Sequence, residues 1–129
     1  MNIAERLMAL PQNVRSGTLR TFGCWFGRPM DNFHRCVAAN MSGNVLSLRF
    51  DGDEELEVTD PSDLKVDGEV LRIPTASKVR WSWYFYGKPK TPENLMYYEY
   101  RVSGGGVEAD TNSPWPTKPT STEPAVELY

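Results

Sequence analysis

The sequence predicts a mainly β fold: a small antiparallel barrel or sandwich of about seven short strands, with a short N-terminal helix and a flexible C-terminal tail. Three observations lead there. Apolar and polar residues alternate at period two from Thr18 to Val102, the spacing of half-buried strands. Turn signals such as Ser42-Gly43-Asn44, Asp51-Gly52-Asp53 and Asp67-Gly68 break the alternation at short intervals. No long stretch of helical period interrupts the strands, which argues against a βαβ sheet.

Residues 2–9 carry Ile3 and Leu7 at helical spacing, continued by Leu10, and Pro11 stops the run. With the loop up to Gly17 they form an N-terminal segment, 1–17. Thr18–Phe26 and Phe33–Met41 are strand candidates, followed by Val45–Phe50 and Glu55–Thr59. Asp60-Pro61 breaks the chain. Leu64–Val66 and Val70–Ile73 flank Asp67-Gly68, where both positions tolerate positive φ. Lys78–Tyr86 is the strongest strand: Val79, Trp81, Trp83 and Phe85 share one face, and Arg80, Ser82, Tyr84 and Tyr86 the other. Leu95–Val102 returns and completes a β domain over 18–102. From Ser103 onward Gly, Pro, Ser and Thr dominate. Such a composition buries too little apolar surface to offset its ordering entropy, which predicts a flexible tail over 103–129.

The chain has 129 residues, 40% hydrophobic, enough for one domain with its own core. The opening MNIAERLMAL lacks the apolar region of a secretory signal. No apolar run is long enough to span a bilayer. These features predict a cytoplasmic protein without a membrane partner. Cys24 and Cys36 have no framework spacing and read as reduced, buried thiols, although a cross-strand disulfide is geometrically conceivable. The net charge of −3 is unevenly laid out: Asp51 to Glu69 holds nine acids and one base. Residues 1–50 and 70–102 together hold twelve bases and four acids. Such a layout creates a field unless the segments interleave in space, and it permits head-to-tail pairing.

Two stretches repeat one phrase. CWFGRPMDNF runs from Cys24 to Phe33, and YFYGKPKTPENL from Tyr84 to Leu95. Each runs aromatic, Gly, basic, Pro, then an acid followed by Asn. Gly permits positive φ, Pro ends strand pairing, and acid-Asn pairs bond back to loop amides. The phrase is therefore complete as loop chemistry alone. Its basic and aromatic neighbours add a second reading. Arg28, Arg80 and Lys88 supply charge for an anion, while Trp25, Tyr84 and Tyr86 offer flat platforms for stacking. Asp31, Asn32, His34, Glu93 and Asn94 complete the candidate ligand-binding set.

The two phrases, with KVRWSWY running into the second, are similar to a family of small bacterial or phage proteins. That family is marked by W-F-G-R-P-x-D-N-x-H early and W-x-W-Y-x-Y-G-[RK]-P-x-T-x-E-N-L late. The resemblance covers about residues 19–101. It brings no activity, and it points to the same positions.

His34 is the single histidine. With Asp31 as neighbour and Cys24 or Cys36 as nucleophile it makes an enzyme conceivable. A zinc site from Cys24, His34 and Cys36 lacks a fourth ligand. The acidic run from Asp51 fails as a calcium loop, because Leu56 stands where the turn needs Gly and Ser62 where a bidentate Glu belongs. No phosphate-loop or hydrolase motif is present, and no cofactor is expected. The expectation is a non-catalytic module for an anionic ligand, a nucleotide or short nucleic acid, gripped by both Gly-basic-Pro loops. The alternatives are a protein-interaction or inhibitor domain using its aromatic or acidic face, and an enzyme using His34.

Overall fold

The computed structural model describes residues 1–25, 33–113 and 118–129, Trp25 by its backbone alone. The chain opens with α1 (Ile3–Met8), followed by β1 (Ser16–Thr21), β2 (Cys24–Trp25), β3 (Phe33–Ser42) and β4 (Val45–Phe50). Next come β5 (Glu54–Thr59), β6 (Lys65–Asp67), β7 (Val70–Ile73) and β8 (Lys78–Tyr84). A 3₁₀ turn at Pro92–Asn94 leads to β9 (Leu95–Ser103), β10 (Gly106–Thr111) and β11 (Val126–Leu128). The helix is only six residues long. Its start is fixed by a reciprocal cap between Asn2 and Glu5.

All pairings are antiparallel. They give one continuous strand order, β10-β9-β8-β5-β4-β3-β1-β11-β7-β6, with β2 beside β1. Among the described residues no ladder joins β10 to β6, so the sheet is not closed. It folds over itself nonetheless. Thr21 Oγ1 of β1 lies 3.0 Å from Tyr98 Oη of β9, although five steps of strand order separate the two. The core includes Leu46, Leu56, Val58, Val79, Trp81 and Leu19, each fully covered. The described residues form eleven strands, more than the seven or so expected.

Three expectations need correction. The single strand expected over Thr18–Phe26 is a hairpin. Phe22 and Gly23 both take positive φ (47° and 78°), and Thr21 pairs with Cys24 across that two-residue turn. Phe85 does not join the buried face of β8: the strand ends at Tyr84, and the Phe85 ring is 39% exposed. The segment 103–129 is not a free tail. It contributes β10, and its last strand β11 lies between β1 and β7 with Val126 and Leu128 in the core. Two apolar residues suffice there because both flanking strands supply hydrogen-bond partners.

The insertion of β11 requires a residue without a side chain at position 17. A Cβ on Gly17 would lie 2.0 Å from the Tyr129 carbonyl oxygen. That oxygen accepts from Thr18 N at 2.7 Å, and Tyr129 N donates to Thr18 O at 3.1 Å. Gly17→Ala is therefore expected to force β11 out of register and cost about 2 kcal/mol or more in urea unfolding. Hydrogen exchange should speed up first in β11 and in the β6–β7 hairpin, which among the described residues pairs with the rest of the sheet through β11 alone. An unchanged midpoint with unchanged β11 protection would contradict this account.

Candidate functional site

Register brings the second phrase and the acidic segment together. Glu55 pairs with Ser82, Glu57 with Arg80, and Arg49 with Glu55. Their side chains share the outer face of β4, β5 and β8, opposite Leu48, Leu56 and Trp81 in the core. A groove of about 620 Å³ runs over this face. It is lined by three bases (Arg49, Arg80, Lys90), four acids (Asp53, Glu54, Glu55, Glu57), and Ser82, Tyr84 and Leu95.

Most of the cations in the groove are already engaged. Lys90 pairs with Asp53, whose carboxyl it holds below the usual range. Arg80 lies 3.7 Å from Glu99 and stacks its guanidinium 4.2 Å from the Tyr97 ring centre. Glu99 is shared further, with Lys78 at 3.7 Å and Arg101 at 3.8 Å. The acidic and basic segments thus interleave strand by strand on this face, which weakens their long-range field there and leaves an excess of one acid in the groove.

Under the groove lies a buried ionisable pair. His34 Nδ1 is 2.8 Å from Glu54 Oε2, with side chains 0% and 6% exposed. The His34 ring is edged by Phe50 and Trp81, with centroids 5.8 and 5.1 Å away. A general base needs access to its substrate. The imidazole has none in this arrangement, and Cys24 and Cys36 are both buried. Burial pushes the Cys36 thiol up to about 11, the opposite of an activated nucleophile.

The other expected site residues separate into groups. Arg80 and Tyr84 share the groove. Tyr86 is 87% exposed on the turn that Lys88 N closes onto Phe85 O. Asn94 uses its amide inside the loop, donating to Pro89 O at 2.9 Å and Thr91 Oγ1 at 3.2 Å. Glu93 accepts from its own amide and from Thr91, which lowers its carboxyl. Both therefore serve loop closure in the described phrase. Arg28, Asp31 and Asn32 lie outside the described residues, as does the Trp25 side chain. Phe33, which follows them, opens β3 at the end of the sheet where Tyr84 closes β8. The candidate set did not hold Glu54, Lys90, Arg49, Glu55 or Glu57, although the acidic-face alternative covered the stretch that carries the three glutamates. One signal was available: Glu54, Leu56 and Val58 have one parity, so Glu54 had to face inward and needed a partner.

Comparison with protein families, with characterised proteins and with solved structures finds no match for this chain.

The buried pair and the outer face make opposite demands on stability. His34→Ala leaves the Glu54 carboxylate buried without its partner and should cost about 3–5 kcal/mol in urea unfolding. Arg80→Ala and Lys88→Ala should stay within about 1 kcal/mol. Equal effects from all three would show that the pair carries no special weight.

Proposed function

We propose that the protein is a non-catalytic interaction module whose groove over β4, β5 and β8 takes a cationic segment of a partner protein. The observation that carries this reading is the state of the groove's charges. Glu55 and Glu57 make no ion pair among the described residues, whereas Lys90 is held by Asp53 and Arg80 by Glu99. An incoming cation meets two uncommitted carboxylates that are half-buried in the sheet face. An incoming anion meets four acids and only one uncommitted base, Arg49. Tyr84 and Leu95 add an apolar wall of the kind that anchors protein interfaces. Among the described residues no helix is long and apolar enough to cross a membrane.

The test is equilibrium binding of a labelled Arg- and Lys-rich peptide, followed by anisotropy. Binding is expected, with Glu55→Gln/Glu57→Gln weakening it at least about fivefold. Peptide binding that ignores the double substitution would remove the groove from the reading.

The second reading is an anionic ligand, a nucleotide or short nucleic acid, gripped at the rim by both Gly-basic-Pro loops. It is favoured by the exposure of Tyr86 and Lys88 beyond β8, at the end of the sheet where β3 begins. On that reading Lys88→Ala weakens binding of a fluorescent nucleotide, and the loss shrinks as salt rises. A nucleotide titration unaffected by Lys88→Ala would dispose of it.

A further inference from the structure

The open end of the sheet carries a surface of another kind. β10 pairs with β9 along its whole length, Gly106–Thr111, without a register shift. Among the described residues no strand lies on its other side. Which backbone groups face that side follows from the ladder. Asn112 N donates to Tyr97 O at 3.1 Å, one step beyond the pair Thr111–Tyr98. Hydrogen-bonded and non-hydrogen-bonded pairs alternate along an antiparallel ladder. Gly106, Glu108 and Asp110 therefore bond to β9, and Val107 and Ala109 turn their N–H and C=O groups to the open edge. The Gly104-Gly105 turn agrees. Both glycines take positive φ (57° and 83°), and a two-residue turn of this kind is closed by a bond between its flanking residues, Ser103 and Gly106.

The side chains of β10 divide by parity. Val107 and Ala109 lie on the core side, opposite Val102 and the buried Tyr100. Ala109 is nonetheless exposed, and Val102 is 44% exposed, so the cover of the core ends here. Glu108 and Asp110 lie on the outer side. Both are exposed, and neither forms an ion pair among the described residues. The cations of β8 and β9 on this face, Lys78, Arg80 and Arg101, gather instead on Glu99, at 3.7, 3.7 and 3.8 Å. β10 itself carries two acids and no base. The other edge is built differently. β6 is three residues long and holds Lys65, and both shortness and an edge lysine keep a strand from pairing. β10 has neither device, nor a proline or a bulge.

We propose that β10 is a docking edge that takes, as one more strand, an extended segment of another protein in which basic and apolar residues alternate. Strand addition draws affinity from main-chain hydrogen bonds and selection from alternate side chains. Residues set opposite Val107 and Ala109 share their side of the sheet and extend its apolar margin. Residues set opposite Glu108 and Asp110 share the other side and meet two carboxylates. The edge therefore selects apolar side chains at the first positions and Lys or Arg at the second. A second copy of the chain fits poorly. Antiparallel pairing of β10 with itself across most of its length sets Glu108 opposite Asp110 or Glu108 of the other copy, and like charges directly opposite destabilise a pair. Three strand spacings, roughly 15 Å, separate the edge from the β5 carboxylates of the groove, so either site can fail without the other.

The test uses the full chain carrying Glu55→Gln/Glu57→Gln, which silences the groove, and a short labelled peptide of alternating Lys and Val. Binding is expected by anisotropy. Amide exchange read by NMR should slow at Val107 and Ala109 when the peptide is added. Methylating the peptide's Val nitrogens removes the donors that face Val107 and Ala109, and should weaken binding at least about fivefold. Methylating its Lys nitrogens, which point away from β10, should not. Glu108→Gln/Asp110→Asn should weaken binding roughly threefold at low salt, and less as salt rises. Any of three results overturns the inference: no binding, unchanged exchange at Val107 and Ala109 with the peptide bound, or equal effects of the two methylations. Sedimentation supplies a fourth. Self-association of the chain that the peptide reverses would give this edge to a second copy.

Discussion

The fold depends on a backbone approach. Tyr129 and Gly17 pass so closely that a methyl group at position 17 would overlap the Tyr129 carbonyl. That contact lets β11 slide between β1 and β7. Without it β7 and β6 have no ladder to the rest of the sheet. Side-chain ties from the helix side, Arg6 to Asp63 and to Leu64 O, would remain, but they are part-exposed and weak. Three residues thus set the alignment of the hairpin. The inward side chains of β11, Val126 and Leu128, seal the core, while Glu127 and the following Tyr129 face outward. Packing and surface chemistry are coupled through one short strand.

Strand order explains why the charge asymmetry of the sequence does not survive as a field on the groove face. The acidic segment contributes β5, and the sheet places β5 between β4 and β8, both from the basic part. At a strand spacing of about 5 Å, opposite charges meet within reach of direct pairing. Arg80 and Lys90 pair in this way, and so does Glu99. What remains is local, two carboxylates on β5 and Arg49 at the edge.

Much of the sheet was legible in the sequence because period-two alternation is a local property. Val45–Phe50 is read without error, and the inward set Val79, Trp81, Trp83 follows from parity alone. What failed depends on non-local partners. Val126 and Leu128 make a strand because β1 and β7 receive them, and a Pro- and Thr-rich approach gives no local hint of it. The break at Phe22-Gly23 was hidden because Phe in a strand-like run is a better β-former than turn residue. The candidate site was legible only in part for the same reason. Lys90 and Asp53 come from separate segments, and no motif window spans both.

The repeated phrase has a different standing after this. In its second copy the conserved-looking chemistry is consumed by the loop: Gly87 takes the positive φ of the turn, Asn94 fastens the loop to Pro89 and Thr91, and Lys90 ties it to Asp53. Those roles account for Gly, the second Lys and Asn without a ligand. They leave Tyr86 and Lys88 exposed to solvent, with Phe85 partly so beside them. A phrase that mostly builds its own loop is a poor clamp and a good spacer. Glu55 and Glu57, which form no ion pair among the described residues, owe their position instead to register between distant segments. The proposed recognition therefore rests on a face of the sheet more than on the loops that repeat.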